Sequence, residues 1–184
     1  MKVAFIDRDG VINKEVGYLH RIDDFEYTYN CVAGLKSLID SGFALVVVTN
    51  QAGIAKGLYS VNDYESLMDW MTADLARYGI NFKDILFCPH HPEGIVEKYA
   101  TKCEFRKPSP GMFLHARDRH GIDMKSSIVI GDKLTDIQAG RKSGVGRAFL
   151  VESGHATTKI EHSDYEIVKD LFEVSVLISN EIKT

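Results

Sequence analysis

The run Phe43-Ala44-Leu45-Val46-Val47-Val48 contains no polar residue. A strand with one face in water alternates apolar and polar side chains. A run without alternation is buried on both faces, as in a parallel sheet covered by helices on either side. Val3-Ala4-Phe5-Ile6, Ser127-Ile128-Val129-Ile130 and Ala148-Phe149-Leu150-Val151 have much the same character, and Ile85-Leu86-Phe87 is a shorter example. Between them, apolar residues recur at helical spacing. Val32, Leu35, Leu38 and Ile39 precede a stop at Gly42. Tyr64, Leu67, Met68, Met71 and Leu75 follow Ser60 as N-cap and end at Gly79. Met68, Trp70, Met71 and Cys31 read as packing residues. Ser109 and Pro110 predict the N-cap and first position of a helix through Phe113, Leu114 and Ala116 to Gly121, and 134–142 a further helix. Residues 154–163 read as a loop and 164–168 as a short edge strand. Asp170 reads as the N-cap of a last helix carrying Leu171, Phe172, Val176 and Ile178. Strands alternating with helices predict an α/β three-layer sandwich around a central parallel sheet, Rossmann-like.

At 184 residues one domain is expected, spanning 1–184. Two stretches lack a clean period: 10–30, read as a structured flap, and 88–107. About twenty aperiodic residues inside a compact domain call for a functional or metal-based reason. Neither insert is long enough to be a large cap domain. A net charge of −4 leaves no basic surplus for nucleic acid or an anionic membrane. No apolar run approaches ~20 residues, so no membrane span is expected. The chain enters a strand and then acids at once, unlike a signal peptide. Three cysteines are too few and odd for a disulfide framework, so a reducing cytoplasm is the expected compartment, and a monomer the expected state.

Three of the strands end in polar residues: the first in Asp7-Arg8-Asp9-Gly10, the second in Thr49-Asn50, the fourth in Gly131-Asp132-Lys133 with Asp136 four residues after Asp132. Ligands of open α/β sheets bind at the carboxyl ends of the strands, so the fold would bring these residues to one edge. Isolated carboxylates are costly to bury, and several together share a metal or a catalytic task. Three carboxylates, a hydroxyl and Lys107 suit a magnesium-bound phosphate, because Mg²⁺ takes hard oxygen ligands and substrate phosphate. One aspartate can attack phosphorus, and a second, two residues on, can move the protons.

With those motifs in view, the sequence resembles the haloacid dehalogenase-like phosphatases. Residues 43–55 (FALVVVTNQAGIA), Cys88-Pro-His-His-Pro with Gly94, Arg106-Lys-Pro-Ser-Pro-Gly-Met112 and Gly131-Asp-Lys-Leu-Thr-Asp136 are similar to the branch of heptose bisphosphate and histidinol-phosphate phosphatases, over roughly residues 3–152. The resemblance implies a Mg²⁺-dependent phosphoric monoester hydrolase. Its expected substrate is a sugar bisphosphate, losing the 7-phosphate of a heptose 1,7-bisphosphate in nucleotide-activated heptose synthesis for lipopolysaccharide core, capsule or a related glycan. Asp7 would be nucleophile and metal ligand. Asp9 would be acid/base and a metal ligand through its carbonyl, and Asp132 the remaining protein ligand. Thr49 and Lys107 would hold the transferring phosphoryl group. Arg106, Lys133, Asn50 and the stretch Glu15, Gly17, Tyr18 would line the substrate site. Asp136 would orient Asp132 or Lys133.

The resemblance also implies a structural zinc in the 88–107 insert, held by Cys-x-His and Cys-x-Cys. Here Cys88, His90 and Cys103 are in place, but Phe105 stands where the fourth ligand would be. Structural zinc is almost always four-coordinate. That leaves a metal-free loop with Phe105 packed inward, zinc with His91 or Glu104 substituting, or zinc completed by water. Two further functions stay open at this level: histidinol-phosphate or broader sugar-phosphate hydrolysis, and a non-catalytic receiver-like module, against which Asp9 speaks.

Overall fold

The computed structural model describes residues 1–152 and 164–182. Six strands make one sheet: β1 (Val3–Ile6), β2 (Ala44–Asn50), β3 (Phe82–Cys88), β4 (Ile128–Gly131), β5 (Arg147–Val151) and β6 (Glu166–Val168). Their order is β3-β2-β1-β4-β5-β6, with every neighbouring pair parallel. Among the described residues there are six α-helices: α1 (Cys31–Asp40), α2 (Ala52–Ala55), α3 (Val61–Ala76), α4 (Gly111–His120) and α5 (Leu134–Lys142) between strands, and α6 (Leu171–Ile182) after the last.

Successive strand residues point to opposite faces, and both faces are packed. Ala4, Ile6, Leu45, Val47, Ile130 and Phe149 meet Leu35 and Leu38 of α1, Met68, Met71 and Leu75 of α3, and Leu171, Val174 and Ile178 of α6. The alternate residues Val3, Phe5, Val46, Val48, Val129 and Leu150 meet Met112, Phe113 and Ala116 of α4 and Ile137 and Ala139 of α5. The unalternating run at 43–48 is thus a central strand covered on both sides. Cys31 is buried, and Trp70 packs partly buried against the first cluster. Val176 lies in α6 but faces outward.

The capping residues act as their chemistry dictates. Ser60 accepts from the Asp63 amide at 3.1 Å while Asp63 accepts from the Ser60 amide at 2.7 Å. Asp170 accepts from the Glu173 amide at 2.9 Å. One expected start moves: α4 begins at Gly111, with Pro110 at the N-cap and Ser109 outside the helix. Backbone bonds from Ser109 N to Arg106 O and from Gly111 N to Glu104 O hold both residues in the preceding turn. Directly after β2 the chain forms the short α2 before turning at Gly57. The third strand is longer than its apolar centre, and the last one is shorter than 164–168. The expected loop at 154–163 lies outside the described residues. The inserts contain a 3-10 turn each, at Ile22–Asp24 and Glu97–Tyr99, and no further helix or sheet of their own.

Phe113 is fully buried and packs on Phe5 with ring centroids 4.8 Å apart. Phe113→Ala should lower unfolding free energy by about 3–5 kcal/mol in urea titrations. A loss below about 1 kcal/mol would mean that the second face of the sheet is not close-packed.

Candidate active site

β1 lies between β2 and β4, the point where the strand order reverses. The ends of these three strands therefore converge, and their polar residues surround one cavity of about 490 Å³. Asp7, Asp9, Glu15, Gly17, Tyr18, Asn50, Arg106, Lys107 and Lys133 line it. Thr49 and Asp132 are buried behind that lining. Every residue expected in the phosphate site is therefore within this one region.

Lys107 is the hub. Its side chain is buried, with Nζ 3.0 Å from Asp7 Oδ1, 2.5 Å from Asp136 Oδ1 and donating to Val48 O at 2.7 Å. It arrives on the long insert before α4, and Asn50 holds its backbone at both ends. Asn50 Nδ2 donates to Lys107 O, and Lys107 N donates to Asn50 Oδ1, each at 3.0 Å. Asn50, expected to line the substrate site, does so with its amide already committed to this clamp. Asp136 Oδ2 accepts from the Lys133 amide at 3.0 Å as the first-turn cap of α5. Its other oxygen reaches Lys107, a partner the expectation of Asp132 or Lys133 did not include.

Asp9 is held by a second, separate cation. Arg8, in the bend after β1, is fully buried. Its Nη2 lies 2.7 and 2.9 Å from the two Asp9 oxygens and donates to Leu19 O at 3.0 Å. Asn13 and Gln51 donate to the same carboxylate at 3.0 and 3.1 Å. Gly10, at φ +80°, turns the chain away against Asp132, and a Cβ there would collide with that carboxylate.

Electrostatics separate the acids. Burial pushes Asp7 up to about 6, only partly offset by Lys107, with Asp136 and Asp9 adding to the rise. Burial, then the nearby Asp7, pushes Asp132 up to about 8. Asp9 goes the other way: burial is its largest influence, but Arg8, Asn13 and Gln51 together outweigh it and hold the carboxyl low. Lys107 rises despite burial because Asp136 and Asp7 flank it. Lys133, 3.2 Å from Glu15 and 3.5 Å from Asp132, likewise rises despite burial.

Asp7, Asp132 and Asp136 bring carboxylate oxygens within 4.8 Å of one another. Buried acids at that spacing, with the Asp132 carboxyl displaced upward, are a fit for a hard divalent cation, which would relieve their repulsion. The insert offers a different donor set. Cys88, His90 and Cys103 also gather within 4.8 Å. His91 accepts from the Glu93 amide at 3.1 Å, Glu104 is exposed, and neither belongs to that group. Phe105 packs against the second core cluster and stands 5.5 Å from the His115 ring. Three donors do not complete a structural zinc tetrahedron.

Sequence reading places Gln51 at the polar end of the second strand without giving it a role, and does not single out Ala52, Tyr59 or Thr135; all four also line the cavity. Tyr59 reaches the site only through the path of the chain.

Residues 104–174 match the HAD-hydrolase-like family model. The chain is 52% identical over 179 residues to the D-glycero-α-D-manno-heptose-1,7-bisphosphate 7-phosphatase of Photorhabdus laumondii, covering 97% of each chain. It is 47% identical over 154 residues to the D-glycero-β-D-manno-heptose-1,7-bisphosphate 7-phosphatase of Escherichia coli K12, covering 84% of this chain and 81% of that one. The crystal structure of D,D-heptose 1,7-bisphosphate phosphatase from B. bronchiseptica, complexed with magnesium and phosphate, superposes with a TM-score of 0.86 at 28% identity, covering 98% of this chain and 99% of the other.

Removing the Lys107 charge would leave Asp7 and Asp136 facing each other in a buried site. Lys107→Met should cost about 3–5 kcal/mol of stability by urea unfolding. Adding Asp136→Asn should restore part of the loss. Wild-type stability in the single variant would show that the ammonium does not hold these acids.

Proposed function

The chain belongs to the haloacid dehalogenase-like phosphatases, in the family of the D-glycero-D-manno-heptose-1,7-bisphosphate 7-phosphatases, and we propose that it removes the 7-phosphate of the α-anomeric heptose 1,7-bisphosphate. The supporting observation is Asp7: a buried carboxylate 3.0 Å from an ammonium, at the wall of an open polar cavity. The α anomer is favoured by the higher identity and fuller coverage of the relative named for it. Its product would feed nucleotide-activated heptose synthesis for capsule, lipopolysaccharide core or a related glycan.

Asp7 attacks phosphorus as the bond to the sugar oxygen breaks, giving an aspartyl-phosphate. Asp9 gives the leaving oxygen its proton. It then takes a proton from the water that attacks the phosphoenzyme, releasing phosphate and restoring Asp7. At rest Asp9 is ionised, held by Arg8, Asn13 and Gln51. A phosphate dianion entering beside it raises its proton affinity, as like charges do. Asp9 therefore takes up a proton from solvent as the substrate binds, the proton it then gives to the leaving oxygen. It loses the proton gained from water when phosphate departs. Thr49 and Lys107 hold the transferring group, while Arg106, Lys133, Asn50 and Glu15 to Tyr18 meet the rest of the substrate. Asp7, Asp132 and the Asp9 carbonyl would hold Mg²⁺, which supplies charge neutralisation on the phosphoryl oxygens. Residues 1–184 act as one phosphatase domain with short inserts at about 10–30 and 88–107, a cytoplasmic monomer that binds neither nucleic acid nor membrane. Among the described residues no helix is long and apolar enough to cross a membrane. Phe105 holds the 88–107 loop by packing, without zinc.

Phosphate release should be fastest on the α-heptose 1,7-bisphosphate, slower on the β anomer and slowest on histidinol phosphate, and chelation of Mg²⁺ should abolish it. A preference for histidinol phosphate would overturn the substrate. Asp7→Asn should lose at least about a thousandfold in kcat and Asp9→Asn about a hundredfold, both remaining folded by circular dichroism at the assay temperature. Elemental analysis should find zinc well below stoichiometric; one zinc per chain would overturn the packed-loop reading.

A further inference from the structure

Gln51 stands between the two groups that the chemistry needs in fixed orientation. Its Nε2 donates to Asp9 Oδ2 at 3.1 Å and to Thr49 Oγ1 at 2.8 Å. On its other side, Oε1 lies 2.5 Å from the Tyr59 hydroxyl. An amide can be turned either way, but the surroundings allow one orientation. Asp9, paired with Arg8 at 2.7 Å, is an acceptor only. The amide nitrogen must therefore face it, the carbonyl must face Tyr59, and the tyrosine must donate. The hydroxyl of Thr49 then receives a hydrogen from Gln51, so its own single hydrogen is directed elsewhere. In a site that binds phosphate, that hydrogen points to a phosphoryl oxygen.

Tyr59 is built into this position. It is buried, stacked on His20 with centroids 5.0 Å apart and planes 7° from parallel. The ring passes so close to Gly53 that a Cβ there would collide with it. Burial also raises the hydroxyl well above the ordinary tyrosine range, which keeps it a donor.

We infer that Tyr59 and Gln51 form a one-way hydrogen-bond relay that aims the Thr49 hydroxyl at the phosphoryl group and holds the Asp9 carboxylate in place. Both are positioning residues, and the inference rests on the phosphatase reading above. Tyr59→Phe keeps the ring and its stack on His20 while deleting the donor. It should lower kcat about tenfold with KM within about twofold. Gln51→Glu keeps the shape and the acceptor for Tyr59 but loses both donors, and should fall at least as far. Gln51→Met removes the relay altogether, and in that background Tyr59→Phe should cost less than about twofold. Losses that multiply, or Gln51→Glu at wild-type kcat, would overturn the relay.

A second readout does not depend on turnover. In ¹⁵N-labelled protein the Gln51 side-chain amide is identified by its absence in Gln51→Met. Its hydrogens should exchange with water several times faster in Tyr59→Phe than in wild type. Unchanged exchange would overturn the relay. A wild-type protein that releases no phosphate from any sugar phosphate would instead overturn the functional reading, and the exchange measurement would still decide the relay.

Discussion

The Lys107 ammonium, buried between Asp7 and Asp136, is the interaction on which the site depends. Each of those acids is set by a different element, Asp7 by the end of β1 and Asp136 by the first turn of α5. Neither could be buried beside the other without a shared positive charge. Lys107 supplies it from a third direction, at the end of a long insert, and also bonds to the β2 carbonyl of Val48. The insert that looks irregular in sequence thus delivers a cation to the centre of the sheet edge. Asn50 fixes the last step of that delivery by bonding the Lys107 backbone on both sides.

A second cation, Arg8, divides the labour of the two acids. Lys107 contacts Asp7, and Arg8 contacts Asp9, so two carboxylates two residues apart have opposite displacements in proton affinity. Environment alone separates them, since the side chains are identical. Arg8, Arg106, Lys107 and Lys133 still face five acids, Asp7, Asp9, Glu15, Asp132 and Asp136. That surplus of negative charge is what a divalent cation would balance, and it is concentrated where Asp132 is pushed furthest from its ordinary range.

In the 88–107 insert a cluster of metal-type donors and an aromatic contact stand side by side. Cys88, His90 and Cys103 are together, but Phe105 lies against the core under α4. The half-buried Phe105 ring stabilises the loop by removing apolar area from water. Arg106, the next residue, donates to His90 O at 3.2 Å and so ties the two ends of the insert beside the cavity.

The parallel α/β sandwich was legible in the chain itself because a double-faced strand has no polar positions, and 43–48 has none. The strand-end acids, Thr49 and Lys107 were also legible, since a β-strand's end and a motif's spacing are local properties. So were the caps at Ser60 and Asp170, which bond to amides three residues on. The start of α4 was not, because backbone bonds to residues 104 and 106 decide it. The partners of the site were decided by tertiary structure alone. Nothing in sequence separation links Lys107 to Asp136, Arg8 to Leu19, or Tyr59 through Gln51 to Asp9. Hydrogen-bond direction and charge pairing depend on which side chains meet at a few ångströms, and only the crossover that places β1 between β2 and β4 brings these residues that close.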